Sequence, residues 1–342
     1  MSERDLSGGY AENPVLARVW RGDHVESVHR GAWVLTDARG QVIDGAGEWG
    51  ESFFARSAVK SLQALPLLES GAADRFGYSA ADLALALASH SAEACHTDVV
   101  SGILERLELD VSALRCGAHP PNDPGARREL SKRDERATAL HNNCSGKHAG
   151  FLALARHLDE DPAVYLEPDS RTQRLVRQAV VELCELEDDQ VQTATDGCSA
   201  PTFRLPLVAL AASFARIANP SSLGGVRARH CERMTAAVAA RPELIAGHHK
   251  RPCTVIARAT RGRLFPKVGA EAVYAVGVVG GDRGLALKID DGAWRGLYAV
   301  LPGLLEKLGL ATADELVGLE EWRGRPLRNH AGLAVGRIEV SV

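Results

Sequence analysis

The chain has 342 residues, of which 45% are hydrophobic and 25% charged, and carries a net charge of −4. This is the composition of a soluble globular protein with one large core or two closely packed ones. It offers no reason to expect nucleic acid or an anionic membrane as partner, and no apolar run approaches the ~20 residues of a membrane span.

The N-terminal stretch Met1–Gly9 is polar and lacks the apolar centre of a secretory signal, so a cytoplasmic location is expected. Residues 14–49 read as strands joined by turns at Gly22-Asp23 and Asp37-Ala38-Arg39-Gly40. An apolar helix follows from about Ser57 to Glu69, with Pro66 kinking it or ending its regular part. Ser79 reads as the N-cap of the next helix, with Asp82 in its first turn. That helix runs to about Ala88, Ser89-His90-Ser91 interrupts it, and another continues to about Leu107.

Residues 117–136, rich in Pro, Asp and Arg, read as a long surface loop. Helices dominate from 147 to about 246, broken at 194–202 and at Asn219-Pro220-Ser221-Ser222. Strand patterns return near 253, with Val255, Ile256, Ala257 and Ala259 leading into Leu264–Gly269, then 272–279 and 284–289. A helix at about 293–308 and a strand at 336–342 close the chain. The order predicts a single mixed α and β unit. Its antiparallel sheet comes from both chain ends, about 14–49 and 253–342, is flanked by helices and joins a helical middle at about 57–250.

Ser57-x-x-Lys60 places an amine one helical turn after a hydroxyl, the spacing of a serine activated by a neutral lysine. Alone the pair is weak: Ser57 could equally cap a helix and Lys60 sit on the surface. Only seven of the 40 basic residues are lysines. Each is therefore worth testing for a role as a neutral base, which arginine cannot fill. Ser89-His90-Ser91, in a helix break, and Lys267-Val268-Gly269, between strands, follow in order. The arrangement parallels the S-x-x-K, S-D-N and K-T-G elements of penicillin-recognising serine enzymes. Ser91 stands where that pattern has Asn, Val268 where it has Thr, and the first spacing is short.

Two further clusters carry reactive groups: His141-Asn142-Asn143-Cys144-Ser145-Gly146-Lys147-His148 and Asp196-Gly197-Cys198. The first is not a phosphate loop, because His141 occupies the position of the required glycine. By themselves Cys144 and Cys198 read as buried thiols. The remaining five cysteines show no metal-ligand spacing and read mostly as core. His248-His249-Lys250-Arg251 reads as a charged surface turn, and Asp188-Asp189 and Asp290-Asp291 as turn or solvated acids.

Taken together, these blocks resemble the L-asparaginase II family, the serine–lysine type sometimes called class 3. The resemblance runs from the first strand to the last. It implies a fold similar to serine β-lactamases, penicillin-binding proteins and one group of glutaminases. It also implies hydrolysis of L-asparagine to L-aspartate and ammonia by two couples, Ser57 with Lys60 and Ser89 with Lys267. Arg56, Asp196 and His148 are then expected around the substrate, zinc on Cys144, Lys147 and Cys198, and a homodimer as the assembly. Three alternatives stay open: a glutaminase, a penicillin-recognising acyl-enzyme, and a non-enzymatic protein that binds zinc or an amino acid.

Overall fold

The computed structural model describes residues 13–323 and 326–342. The Met1–Gly9 stretch lies outside the described residues.

Eleven strands are described: β1 (Val15–Arg21), β2 (His24–Thr36), β3 (Val42–Ala46), β4 (Ser52–Phe54), β5 (Gln192–Thr195), β6 (Pro201–Pro206), β7 (Leu264–Gly269), β8 (Val273–Val278), β9 (Gly284–Ile289), β10 (Leu327–Arg328) and β11 (Ala334–Val340). The main sheet has the order β10-β11-β1-β2-β9-β8-β7, with β3 alongside β2. Its pairings are antiparallel throughout. The mixed fold and the antiparallel sheet drawn from both chain ends are as the sequence pattern predicts.

The two-residue Gly22-Asp23 link makes β1 and β2 a hairpin, with Gly22 at φ 54. β2 is long enough to serve two partners in succession: residues 24–30 pair with β1 and 31–36 with β9. β9 is buried along its whole length. The helix Leu207–Ala218 packs on β8, β9 and β2, and the helix Trp294–Lys307 on β1, β9 and β11. The first helix lies so close that a Cβ on Gly284 would stand 2.0 Å from the Ala211 carbonyl oxygen, so only glycine fits there.

The helical middle packs below this sheet. One of its most enclosed elements is the helix Ser145–His157, buried from Ser145 through Ala155. Leu62, Leu65, Leu152 and Leu210 are all fully enclosed, each contributing roughly 1.5–3 kcal/mol by burial. Ser79 caps Ala80–Ala86 in a reciprocal box with Asp82, as its sequence signature predicts.

Four local expectations are corrected. The 253–259 segment is a helix, Pro252–Ala259. Cys253 and Thr254 are buried with Ile256 and Ala257 one turn on, which is helical spacing, and Pro252, also buried, suits its first turn. The 117–136 loop contains the helix Pro124–Lys132, whose start is capped by Asp123. It buries no residue, so no apolar period marks it in sequence. The middle also holds a second sheet, β4-β6-β5. Pro66 begins a new short helix, Leu65–Glu69, after Lys60–Gln63. Among the described residues, no helix is long and apolar enough to cross a membrane.

Candidate active site

The site forms where the edge strand β7 meets the turn carrying Ser57. Ala55 N–H donates to Phe203 O of β6, fixing the entry to the 3-10 turn Arg56–Val59. Gly269 ends β7 against that turn. A Cβ there would lie 2.6 Å from Ala55 O and 3.1 Å from Ala58 N, so a larger residue would push strand and turn apart. Ser89 follows the end of the helix Ala80–Ala86 and is anchored through Ser89 N–H to Ile245 O, while His90 N–H donates to Asn143 O.

These three segments bring both lysines onto one hydroxyl. Lys267 Nζ lies 2.9 Å and Lys60 Nζ 3.2 Å from Ser89 Oγ. Lys60 also donates to Ala88 O at 2.6 Å and Asn143 O at 3.5 Å, and Lys267 to Val268 O at 2.8 Å. Both lysines are almost wholly buried. Burial, reinforced by the neighbouring Lys60, holds the Lys267 amine well below its ordinary pKa, which favours its neutral form. Ser57 Oγ makes no hydrogen bond among the described residues. It faces a cavity of about 330 Å³ that Ser89, Asn122, Asn143, Arg251 and Trp294 also line. A larger cavity, about 490 Å³, lies against Ser199 and Pro201 but contains neither Ser57 nor Ser89.

On its other side Ser57 borders a void of about 10 Å³ shared with Lys60, Lys147 and Asp196. That is roughly the space of one water molecule. Here Cys144, Asp196 and Cys198 bring donor atoms within 4.8 Å of one another. Lys147 Nζ lies 3.2 Å from Cys198 Sγ, and Cys198 Sγ lies 3.4 Å from Asp196 Oδ2. The Asp196 loop is closed by Asp196 N–H to Ala200 O and Ser199 N–H to Asp196 O, with Ser199 at φ 70.

Cys144 Sγ donates to Asn143 Oδ1 at 3.1 Å. A hydrogen bond from Cys198 pulls the Cys144 thiol well down, against burial, and the same contact raises Cys198. Burial pulls Lys147 down, but the two thiols and Asp196 outweigh it and hold the ammonium above its usual range. Burial likewise opposes charge on Asp196, yet Arg56 and Lys147 keep its carboxyl low. Two sulfurs, an amine and a carboxylate suit zinc or a similar borderline metal, once Lys147 gives up its proton.

A family model, L-asparaginase II, matches residues 17–340. The chain belongs to the L-asparaginase II family. No curated protein matches it. The family's chemistry is asparaginase-type amide hydrolysis on a small-molecule substrate.

Within this asparaginase framework, the residues singled out from sequence take distinct places. Ser57, Lys60, Ser89 and Lys267 converge, and Cys144, Lys147, Asp196 and Cys198 form the adjoining cluster. Arg56 is held by Asp196, Nε to Oδ1 at 2.5 Å, and approaches Glu271 at 4.0 Å. His148 is fully buried behind the cluster, its Nδ1 2.7 Å from the Tyr165 hydroxyl. Burial drives its pKa down to about 4. It borders neither space that Ser57 lines.

Arg251 is the main omission of the sequence reading, which placed it in a surface turn. Its guanidinium donates to Ser89 O at 2.6 Å and lines the cavity. Asn122, in the stretch read as a surface loop, and Trp294 and Tyr298 are further cavity residues without a sequence signature. Five of the eleven described non-glycine residues at positive φ lie in the segments around the site. Arg56, Ala92, Ser199, Glu271 and Ala272 all adopt positive φ. Such strain, about 1–3 kcal/mol per residue, gathers at functional sites.

Proposed function

We propose that the protein hydrolyses the side-chain amide of L-asparagine through an acyl-enzyme on Ser57, on a scaffold of the serine β-lactamase type. The observation that carries this reading is the Ser89 hydroxyl held between Lys60 and Lys267 beside an open, unbonded Ser57.

Ser57 Oγ attacks the amide carbon and its proton passes to Lys60, one turn away. Lys60 passes a proton through Ser89 Oγ to neutral Lys267, along the contacts at 3.2 and 2.9 Å. Without such a sink, a protonated Lys60 could not accept the Ser57 proton. The relay runs in reverse to protonate the amide nitrogen, which leaves as ammonia. Water then attacks the aspartyl ester with the same groups as base. The first N–H groups of the Arg56–Val59 turn lack intrahelical partners, and Ala270 follows the free edge of β7. The Ser57 and Ala270 N–H groups are therefore suited to stabilise the oxyanion, each such donor being worth about 3 kcal/mol.

Asp196, kept ionised by Arg56 and Lys147, can receive the substrate's α-ammonium. Arg251 supplies a cation in the cavity for the α-carboxylate, since Arg56 is engaged with Asp196. Zinc on Cys144, Lys147 and Cys198 would supply a fixed positive charge next to Ser57. Those residues themselves hold the Asp196 loop against the helix Ser145–His157.

The test is ammonia release from asparagine and glutamine side by side, with Ser57→Ala as control. Wild type is expected to act on asparagine and the variant to lose about 10³-fold or more. A variant that releases ammonia at the wild-type rate refutes the nucleophile. Asparagine binding without turnover by wild type refutes the enzyme, and glutamine preference refutes the substrate.

A further inference from the structure

Outside the active site, one other group of side chains converges as metal donors do among the described residues. Glu93, Cys95 and His248 bring an oxygen, a sulfur and a nitrogen within 4.8 Å of one another. Three donor types from two separate segments meet here: the start of the helix Ala94–Arg106 and the loop after Ile245.

The carboxylate is already aimed. Glu93 Oε1 accepts from the His248 backbone N–H at 2.8 Å and from Ser91 Oγ at 3.1 Å. This leaves Oε2 facing His248 Nδ1 at 2.5 Å. Such fixing of a ligand's second oxygen is how outer hydrogen bonds orient metal-binding carboxylates. Backbone shape enforces the approach, because Gly247 runs at φ 136 and a Cβ there would lie 1.9 Å from Ser91 Oγ. The His248 side chain is 41% exposed, which leaves a route of entry from solvent.

We propose that Glu93 Oε2, Cys95 Sγ and His248 Nδ1 form a second site, for a divalent cation of the zinc type, with water completing the coordination. A mixed sulfur, nitrogen and oxygen set selects zinc, cobalt or nickel over magnesium and calcium. Binding forms a metal–thiolate bond and releases the Cys95 thiol proton to solvent. The His248–Glu93 hydrogen bond gives way to two bonds to the metal; the ring binds as its Nε2–H tautomer, its Nδ1 proton passing to Nε2 by exchange with solvent, so the thiol proton is the net proton released. No oxidation change is involved.

The site also has a consequence for catalysis. The same loop carries Arg251, which donates to Ser89 O and lines the cavity. A cation joining His248 to Glu93 reinforces the ties that already hold that loop to the Ser89–Glu93 segment, Ser89 N–H to Ile245 O and His248 N–H to Glu93 Oε1 among them. The inference does not depend on Ser57 being the nucleophile.

The experiment titrates chelator-stripped full-length protein with Co²⁺ and compares wild type, His248→Ala and Cys95→Ser. His248 is exposed, and Cys95 only partly buried, so both variants are expected to fold, as circular dichroism checks. The Cys144→Ser/Cys198→Ser double variant isolates the second site. The expected result is a Co²⁺ equivalent with sulfur-to-cobalt absorption that persists in the double variant and releases a proton. In His248→Ala its affinity should fall at least tenfold, and in Cys95→Ser its sulfur band should vanish. If neither single variant changes the number, affinity or spectrum of bound Co²⁺, the site does not exist. A failure of the double variant to fold leaves the wild-type comparison with the two single variants decisive.

Discussion

Replacing Lys267 by methionine separates the catalytic role of its amine from its cost to the fold. The side chain is fully enclosed, and its amine makes two hydrogen bonds, to Ser89 Oγ and Val268 O. Methionine has similar length and no polar head. Losing two neutral hydrogen bonds costs about 1 kcal/mol each. Against this, burial and Lys60 depress the Lys267 pKa, and every unit of depression disfavours the folded state by about 1.4 kcal/mol at a pH below it. The unfolded chain binds a proton at this lysine below its ordinary pKa of 10.5, while the folded protein does not until its own lower pKa. Wild-type stability therefore rises with pH across that interval, and the variant lacks this slope. Lys267→Met is expected to cut asparagine turnover by about 10²–10⁴-fold. Its stability relative to wild type should shrink steadily as pH rises from neutrality toward 10. Urea unfolding at several pH values, alongside ammonia release, measures both. A stability difference independent of pH would show that Lys267 is not held neutral. Turnover within a few-fold of wild type would remove it from the proton path.

Gly269→Ala brings a methyl to 2.6 Å from Ala55 O. It should separate β7 from the Ser57 turn, costing about 1–3 kcal/mol and most of the activity; wild-type melting and turnover would contradict this contact. His90 and His96 stack 5.0 Å apart, and burial holds both below the ordinary histidine value of 6.5. The unfolded chain protonates them below pH 6.5 while the folded protein resists, so stability should be full above that pH and fall as pH drops below it. An unfolding midpoint in urea that does not fall between pH 7.5 and 5.5 would refute neutral stacking. Cys198→Ser should abolish zinc bound next to Ser57, read as the metal equivalent that persists in His248→Ala; retention of that equivalent would exclude Cys198 as a ligand.

Much of the fold is visible in local pattern. The hairpin of β1 and β2 follows from Gly22-Asp23 between alternating runs, and the capped helix at Ala80 from Ser79 and Asp82. Both depend on neighbours a few residues apart. The helix Pro252–Ala259 was misread as strand because a short apolar run fits either period. The helix Pro124–Lys132 was missed because it buries nothing. The motif blocks were legible as residue types, and the family match over 17–340 agrees with them. Arg251 was not legible, because a cation among His248, His249 and Lys250 looks like surface until Ser89 O is placed beside it.

The sequence by itself determined which groups could do chemistry: two serines and two lysines in ordered motifs, and two cysteines with a lysine. Tertiary structure alone decided how they are connected. Lys60 and Lys267 stand more than 200 residues apart in the chain, yet both reach Ser89 Oγ because β7, the Ser57 turn and the Ser89 break share one wall. The same enclosure sets the charge on Lys267. A lysine's pKa is a property of the dielectric and the charges around it, and those come from segments distant in sequence. Ser57-x-x-Lys60 names a possible nucleophile; the buried meeting of three segments is what would supply its base in the proposed mechanism.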